Sequence, residues 1–342
     1  MKTGQLSVEC LLKGISDMNI GVLGAGAWGT ALAIHFSLHA HKVWLWTHNI
    51  QHVEQLQQER VNRRYLSDFV LPENLSAVDT LAPADLIVIA TPVSALRESA
   101  QKLVAAGMGE IPVIAACKGF EQQTGLLPQQ VLAEVMPKNN CIGVLSGPSF
   151  AQELAQQLPC AVTLASENFA WIQSLATTLN NTVLRLYANA DVIGAAVGGA
   201  VKNVMAIATG IADGLHYGIN ARVALMTRGM AEISRLNHAL GGQAGTLMGL
   251  SGMGDLILTC TGSLSRNRRV GLLLAEGKSL SDALTELGHV AEGVYTVEEV
   301  CRQADSLGVD MPIANILRQL FHGRTEVQAM AEILMERAPK AE

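Results

Sequence analysis

An apolar run at residues 20–23, the turn Gly24-Ala25-Gly26-Ala27-Trp28-Gly29 and the helix-forming Thr30-Ala31-Leu32-Ala33 follow one another without a gap. Nothing else in the chain restricts its fold as much, because strand, tight glycine turn and helix in that order open a βαβ unit. Further apolar runs lie at 43–46, 86–90, 113–116, 142–145 and 161–164. Helical stretches at 28–38, 94–106 and 127–135 are long enough for the crossovers between them. The alternation predicts a parallel sheet covered by helices on both faces, with a last strand at 183–187 closing the domain.

After about Asn189 the alternation stops and long Ala/Gly/Leu/Met segments of helical periodicity take over, punctuated at Gly241-Gly242, Gly262-Ser263, Gly277 and Gly308, with Pro312 suited to an early helix position. A chain of 342 residues exceeds the usual single-domain size. The predicted architecture is an α/β Rossmann-type doubly wound sheet over 18–189, followed by an all-α C-terminal domain over 190–336. Residues 1–17 form an N-terminal extension, disordered or upstream of the native start, and 337–342 a tail. With no low-complexity linker, the two domains are expected to meet along a cleft.

A formal net charge of -6 argues against a protein whose main work is holding nucleic acid. The six cysteines (Cys10, Cys117, Cys141, Cys160, Cys260 and Cys301) form no C-x-x-C pair and are expected to be reduced thiols in a cytoplasmic protein. His35 with His39 and His48 with His52 have the i,i+4 spacing of a metal pair but lack the H-E-x-x-H pattern, and are expected to be solvated or capping; no metal is called. Membrane insertion is not expected. The most apolar stretch, 192–211, carries Lys202 and Asn203 at its middle and reads as a buried helix.

The glycine turn reads as a dinucleotide site. Gly24 permits the turn, Gly26 lets the backbone approach a pyrophosphate, and Gly29 lets the helix lie close to the strand, with the helix N-terminus facing the phosphates. Where an acidic residue would hold the ribose 2′-hydroxyl of NAD, the chain reads Trp46-Thr47-His48-Asn49. NADP is therefore permitted, and His48 is either a contact to it or a plain surface side chain. Loops after later strands, among them Cys117-Lys118-Gly119 and Ser146-Gly147-Pro148-Ser149-Phe150-Ala151, stand where open α/β sheets bind ligands. Lys118 there is either a grip on substrate oxygen or an ordinary solvated lysine.

Lys202, inside an apolar small-residue helix, either snorkels to the surface or is desolvated with a lowered pKa, and so is a candidate acid for a carbonyl oxygen. Asp255 is a partner for such a lysine or a helix cap. Ser265-Arg266-Asn267-Arg268-Arg269 is a phosphate grip or a solvated patch, with no aromatic residue interleaved for nucleic acid.

As a set, GAGAWGTALA, CKGFE, LSGPSFA, GGAVKNVMAI, GMGDLILTCTGSLSRNRR and AEGVYT resemble the bacterial NAD(P)-dependent sn-glycerol-3-phosphate dehydrogenase family from about Met18 to Leu334. The resemblance implies reversible reduction of dihydroxyacetone phosphate to sn-glycerol 3-phosphate with NADH or NADPH, supplying glycerophospholipid synthesis, in a homodimer. It implies cofactor contacts at Ala27, Trp28, His48, Lys118, Ala151, Arg266, Val290 and Glu292. Substrate would be held by Lys118, Gly147, Ser149, Lys202, Asp255, Ser265, Arg266 and Asn267, with Lys202 as general acid/base. Two rival readings are a two-domain dehydrogenase of a hydroxy acid or sugar-acid phosphate, and a redox-sensing binding module that needs no site lysine.

Overall fold

The computed structural model describes residues 18–39, 41–288 and 291–335; the expected extension and tail lie outside them. The chain divides into two compact units. One takes residues up to Cys117 together with Gln129–Leu145 and Ser149–Ala190, the other Lys118–Pro128, Ser146–Pro148 and everything from Asp191.

The first unit is built on ten strands: β1 (Asn19–Leu23), β2 (Lys42–Trp46), β3 (Val61–Asn62), β4 (Leu66–Val70), β5 (Leu75–Val78), β6 (Leu86–Ile89), β7 (Val113–Ala115), β8 (Ile142–Ser146), β9 (Cys160–Ala165) and β10 (Leu184–Asn189). Eight form one sheet in the order β10-β9-β8-β7-β6-β1-β2-β5, while β3 and β4 make a separate antiparallel hairpin. From β5 to β8 the neighbours are parallel, with Val22 of β1 paired to Leu45 and to Val88. Residues such as those of β6 (Leu-Ile-Val-Ile, all buried) suit strands covered on both faces. Strand order reverses around β1, which has β2 on one side and β6 on the other, the switch point where open α/β sheets take ligands.

The wholly parallel sheet expected from the sequence needs one correction. Ser166 Oγ, just beyond β9, donates to the carbonyl of Ile142 at the start of β8 (2.6 Å). The end of β9 thus lies beside the beginning of β8, and β9 with its parallel neighbour β10 runs against the other strands. Only the five-residue helix Ala151–Ala155 separates β8 from β9, and antiparallel neighbours need no long crossover.

His35 also departs from expectation. It is fully buried in helix Ala27–Leu38, with Asn181 Nδ2 donating to its Nε2 (3.0 Å). Burial and the neighbouring His39 press its pKa down to about 3. The helix is buried continuously from Gly29 to Ser37, so a polar residue there has no solvent face. His48 is exposed, as expected.

The second unit is helical. Its centre is Val192–Gly214, long and apolar enough to cross a membrane by length and composition, with 94% of its most apolar window buried inside the protein. Asp191 begins it, accepting from the backbone N–H of Gly194 and of Gln243 (both 2.9 Å). Helices Gly218–Ala239, Asp255–Thr261, Arg266–Ala275, Glu292–Leu307 and Pro312–Phe321 supply most of the rest of its core. Each large aliphatic side chain taken out of water there stabilises the fold by about 1.5–3 kcal/mol. A methyl at Gly210 would stand 2.1 Å from the carbonyl oxygen of Arg268, and one at Gly271 2.2 Å from that of Ile207. The helix bearing Lys202 and the helix that begins at Arg266 therefore touch backbone to backbone.

Candidate active site

In the second unit, two lysines far apart in sequence converge on one carboxylate. Lys118 Nζ donates to Asp255 Oδ2 (2.7 Å) and to the Gly147 carbonyl (3.1 Å). Lys202 Nζ donates to Asp255 Oδ1 and to Thr259 Oγ1, the latter at 2.9 Å. Thr259 Oγ1 in turn donates to the backbone carbonyl of Asp255 (2.6 Å). Asp255 is fully buried and Lys202 is 7% exposed.

Two cations held by one anion out of water leave a positive charge uncompensated, which is costly unless one cation sheds its proton readily. Burial lowers the pKa of Lys202 to about 8; Asp255 opposes the shift and Lys118 adds to it. Lys202 does not snorkel, and Asp255, although it starts helix Asp255–Thr261, spends its carboxylate on the lysines rather than on a cap. The geometry suits a proton donor to an oxygen that becomes negative, with a second cation beside it to polarise that oxygen.

The proposed phosphate grip lies on the adjoining helix. Ser265 caps it, its Oγ accepting from Arg268 N–H (3.2 Å) and keeping its own proton to donate. Arg266 is exposed at the first helical position; Asn267 is nearly buried, its Oδ1 accepting from Gly293 N–H (3.0 Å). Glu292 starts helix Glu292–Leu307. Burial raises its pKa, against the attraction of the Arg266, Lys118 and Lys202 charges. Val290 lies outside the described residues.

The first unit presents the glycine turn. Gly24 has φ +110°, and a side chain there would run into the backbone of Ala90 and Thr91. A methyl on Gly29 would come within 2.0 Å of the Gly24 carbonyl oxygen. Around Gly26 nothing lies within 4 Å of where a Cβ would stand, so its backbone is open to a close-approaching group. Ala27 and Trp28 begin the helix, and the buried Trp28 Nε1 has no hydrogen-bond partner. Open backbone at Gly26 and free donors at a helix N-terminus fit a dinucleotide pyrophosphate. His48 follows β2 with its ring 6.5 Å from that of Trp46. Ser149, two residues before helix Ala151–Ala155, and Ala151, its first residue, belong to this unit.

Sequence reasoning missed Thr259, although its position one turn after Asp255 on the same helix was a usable signal. Ser146 was named only as part of its loop; its buried Oγ has no hydrogen-bond partner and stands 2.7 Å from where a Gly199 Cβ would be, beside the Lys118 side chain. Among the described residues no group of three or more His, Cys, Asp or Glu is placed to hold a metal.

The NAD-dependent glycerol-3-phosphate dehydrogenase family matches this chain in two parts: its N-terminal region over residues 19–172 and its C-terminal region over 191–332. Glycerol-3-phosphate dehydrogenase [NAD(P)+] of Neisseria meningitidis serogroup B is 60% identical over 329 residues, covering 95% of this chain and all of the relative. The enzyme of the same name from Dechloromonas aromatica is 53% identical over 330 residues, covering 95% and 99%. The crystal structure of glycerol-3-phosphate dehydrogenase from Coxiella burnetii superposes with a TM-score of 0.89 at 38% identity, covering 94% of this chain and 99% of that one. With matches spanning nearly all of both units and the lysine and glycine sites in place, the chain belongs to the NAD-dependent glycerol-3-phosphate dehydrogenase family.

Proposed function

We propose that this protein catalyses the NAD(P)H-dependent, reversible reduction of dihydroxyacetone phosphate to sn-glycerol 3-phosphate and so supplies glycerophospholipid synthesis. The observation that carries the reading is the buried Lys202–Asp255–Lys118 cluster, with a lysine poised near pKa 8. The names of the relatives support the substrate.

Gly24, Gly26 and Gly29 shape the cofactor turn, and Ala27, Trp28, His48, Ala151, Val290 and Glu292 complete the cofactor contacts. When bound, the nicotinamide cofactor supplies the hydride that reaches the carbonyl carbon. Lys202 gives its ammonium proton to the carbonyl oxygen as that oxygen gains charge, and the resulting amine is reprotonated from solvent. In the reverse direction the neutral amine takes the alcohol proton. Asp255 and Thr259 hold Lys202 in place, and Lys118 polarises the same oxygen. Arg266 grips the substrate phosphate by charge-assisted hydrogen bonds and reaches the cofactor as well, while Ser265 and Asn267 add neutral donors and Gly147 and Ser149 complete the contact. A cytoplasmic homodimer is the proposed state.

The test is initial-rate oxidation of NADH and of NADPH by purified protein with dihydroxyacetone phosphate, beside a dihydroxyacetone control and Lys202→Ala. Turnover that needs the phosphate and collapses in the variant is the expected result. Folded protein that binds cofactor yet turns over nothing would sink the assignment.

A further inference from the structure

The hairpin of β3 and β4 stands apart from the main sheet, yet one of its residues reaches the glycine turn. Asn62 is 1% exposed. Its Nδ2 donates to the Ala25 carbonyl (2.9 Å) and to Thr30 Oγ1 (2.8 Å), while its Oδ1 lies 3.1 Å from His52 Nε2. Both amide hydrogens are thus spent on the turn and its helix, and the oxygen is tied to helix Ile50–Glu59, which follows β2.

The Ala25 carbonyl belongs to the peptide whose N–H is that of Gly26. In a planar trans peptide the two point in opposite directions, so fixing the carbonyl fixes the direction of the N–H. Two other polar groups of the turn serve the fold: Gly24 N–H donates to the Trp46 carbonyl, and the Gly26 carbonyl accepts from Thr30 N–H (both 2.9 Å). Asn62 draws the Ala25 carbonyl towards the hairpin, which turns the Gly26 N–H the other way, at the residue whose surroundings are open. An amide held in direction before the ligand arrives loses less freedom on binding it.

We infer that Asn62 is a positioning residue for the cofactor: through the Ala25 carbonyl and Thr30 it presets the Gly26 N–H to donate to the dinucleotide pyrophosphate. The inference rests on the reading of the glycine turn as the cofactor site. It makes the hairpin part of the binding apparatus without contact between Asn62 and the ligand, and it applies equally to NADH and NADPH, which share the pyrophosphate.

The test compares wild type, Asn62→Ala, Thr30→Val and Thr30→Ser by direct titration of NADH and NADPH without substrate, by steady-state kinetics and by thermal unfolding. Loss of the clamp is expected to raise Kd and KM for both cofactors about tenfold in Asn62→Ala, the scale of one hydrogen-bond network. The kcat at saturating cofactor and the KM for dihydroxyacetone phosphate should stay within about twofold. Thr30→Val, which removes a single bond, should weaken cofactor binding less, and Thr30→Ser, which keeps the hydroxyl, should restore it. An unchanged cofactor Kd in both Asn62→Ala and Thr30→Val, with wild type binding and turning over normally, overturns this inference and leaves the proposed function standing. So does a variant whose substrate KM rises as much as its cofactor KM. Wild-type protein that binds neither cofactor overturns both.

Discussion

The glycine turn and the lysine cluster solve opposite problems. The turn is made of backbone, carries no ionisable side chain between Gly24 and Gly29, and works by leaving room and free N–H donors. The cluster is made of side chains, is nearly closed to water, and works by crowding two cations onto one carboxylate. A site of the first kind tolerates no added atoms at Gly24 or Gly29 but has no charge to lose. A site of the second kind can keep its shape and still lose all function with one proton or one charge.

The sharpest way to separate them is Lys202→Ala. Loss of a general acid is expected to lower kcat by about 10³-fold, while the Kd for NADH, measured without substrate, stays at the wild-type value. A matching loss of NADH affinity would mean that the two sites are not independent. Asp255→Asn comes next, because it leaves two buried ammonium groups facing a neutral amide. Stability to urea should fall by about 3–5 kcal/mol, the scale of breaking a buried ion pair from one side. An unchanged midpoint would show that the lysines are hydrated rather than desolvated.

Gly29→Ala attacks the other site, with a methyl forced against the Gly24 carbonyl. It should cost about 1–3 kcal/mol, the usual range for overpacking, and raise the cofactor Kd without moving the pH profile. The smallest effect is that profile. With Lys202 lowered to about 8, its acid form predominates below that pH and is lost above it. Carbonyl reduction should therefore be flat in kcat/KM below about pH 8 and fall by up to tenfold per unit above, while alcohol oxidation should rise across the same range. Asp255 raises the Lys202 pKa, so any Asp255→Asn protein that folds should show both limbs displaced towards acid. Profiles that stay in place would remove Lys202 from the proton transfer.

The same contrast explains what could be read from the chain. The glycine turn was legible because its geometry demands glycine at fixed spacing right after a strand. The six apolar runs were legible because strands covered on both faces carry little else. β5 and the hairpin were not: β5 is four residues at the sheet edge with alternating burial, and Val61–Asn62 is too short to show a period. The reversal at β9 leaves no trace in composition, since an apolar strand looks the same in either direction. In the cluster, Lys202 drew notice as a charge in an apolar helix and Asp255 as a partner for it or a helix cap, but that Lys118 meets the same carboxylate joins elements distant along the chain and left no local sign. Nothing in the sequence hinted that Asn62 reaches the glycine turn.

The burial of helix Val192–Gly214 also bears on how the protein is made. The ribosome releases this apolar segment before any of Asp255–Thr261, Arg266–Ala275, Glu292–Leu307 or Pro312–Phe321, the helices that cover it. For that interval the nascent chain displays a stretch long and apolar enough, by length and composition, to cross a bilayer. Lys202, at its middle, counts against that route, because an unpaired ammonium is costly in lipid and its carboxylate partner Asp255 comes later in the chain.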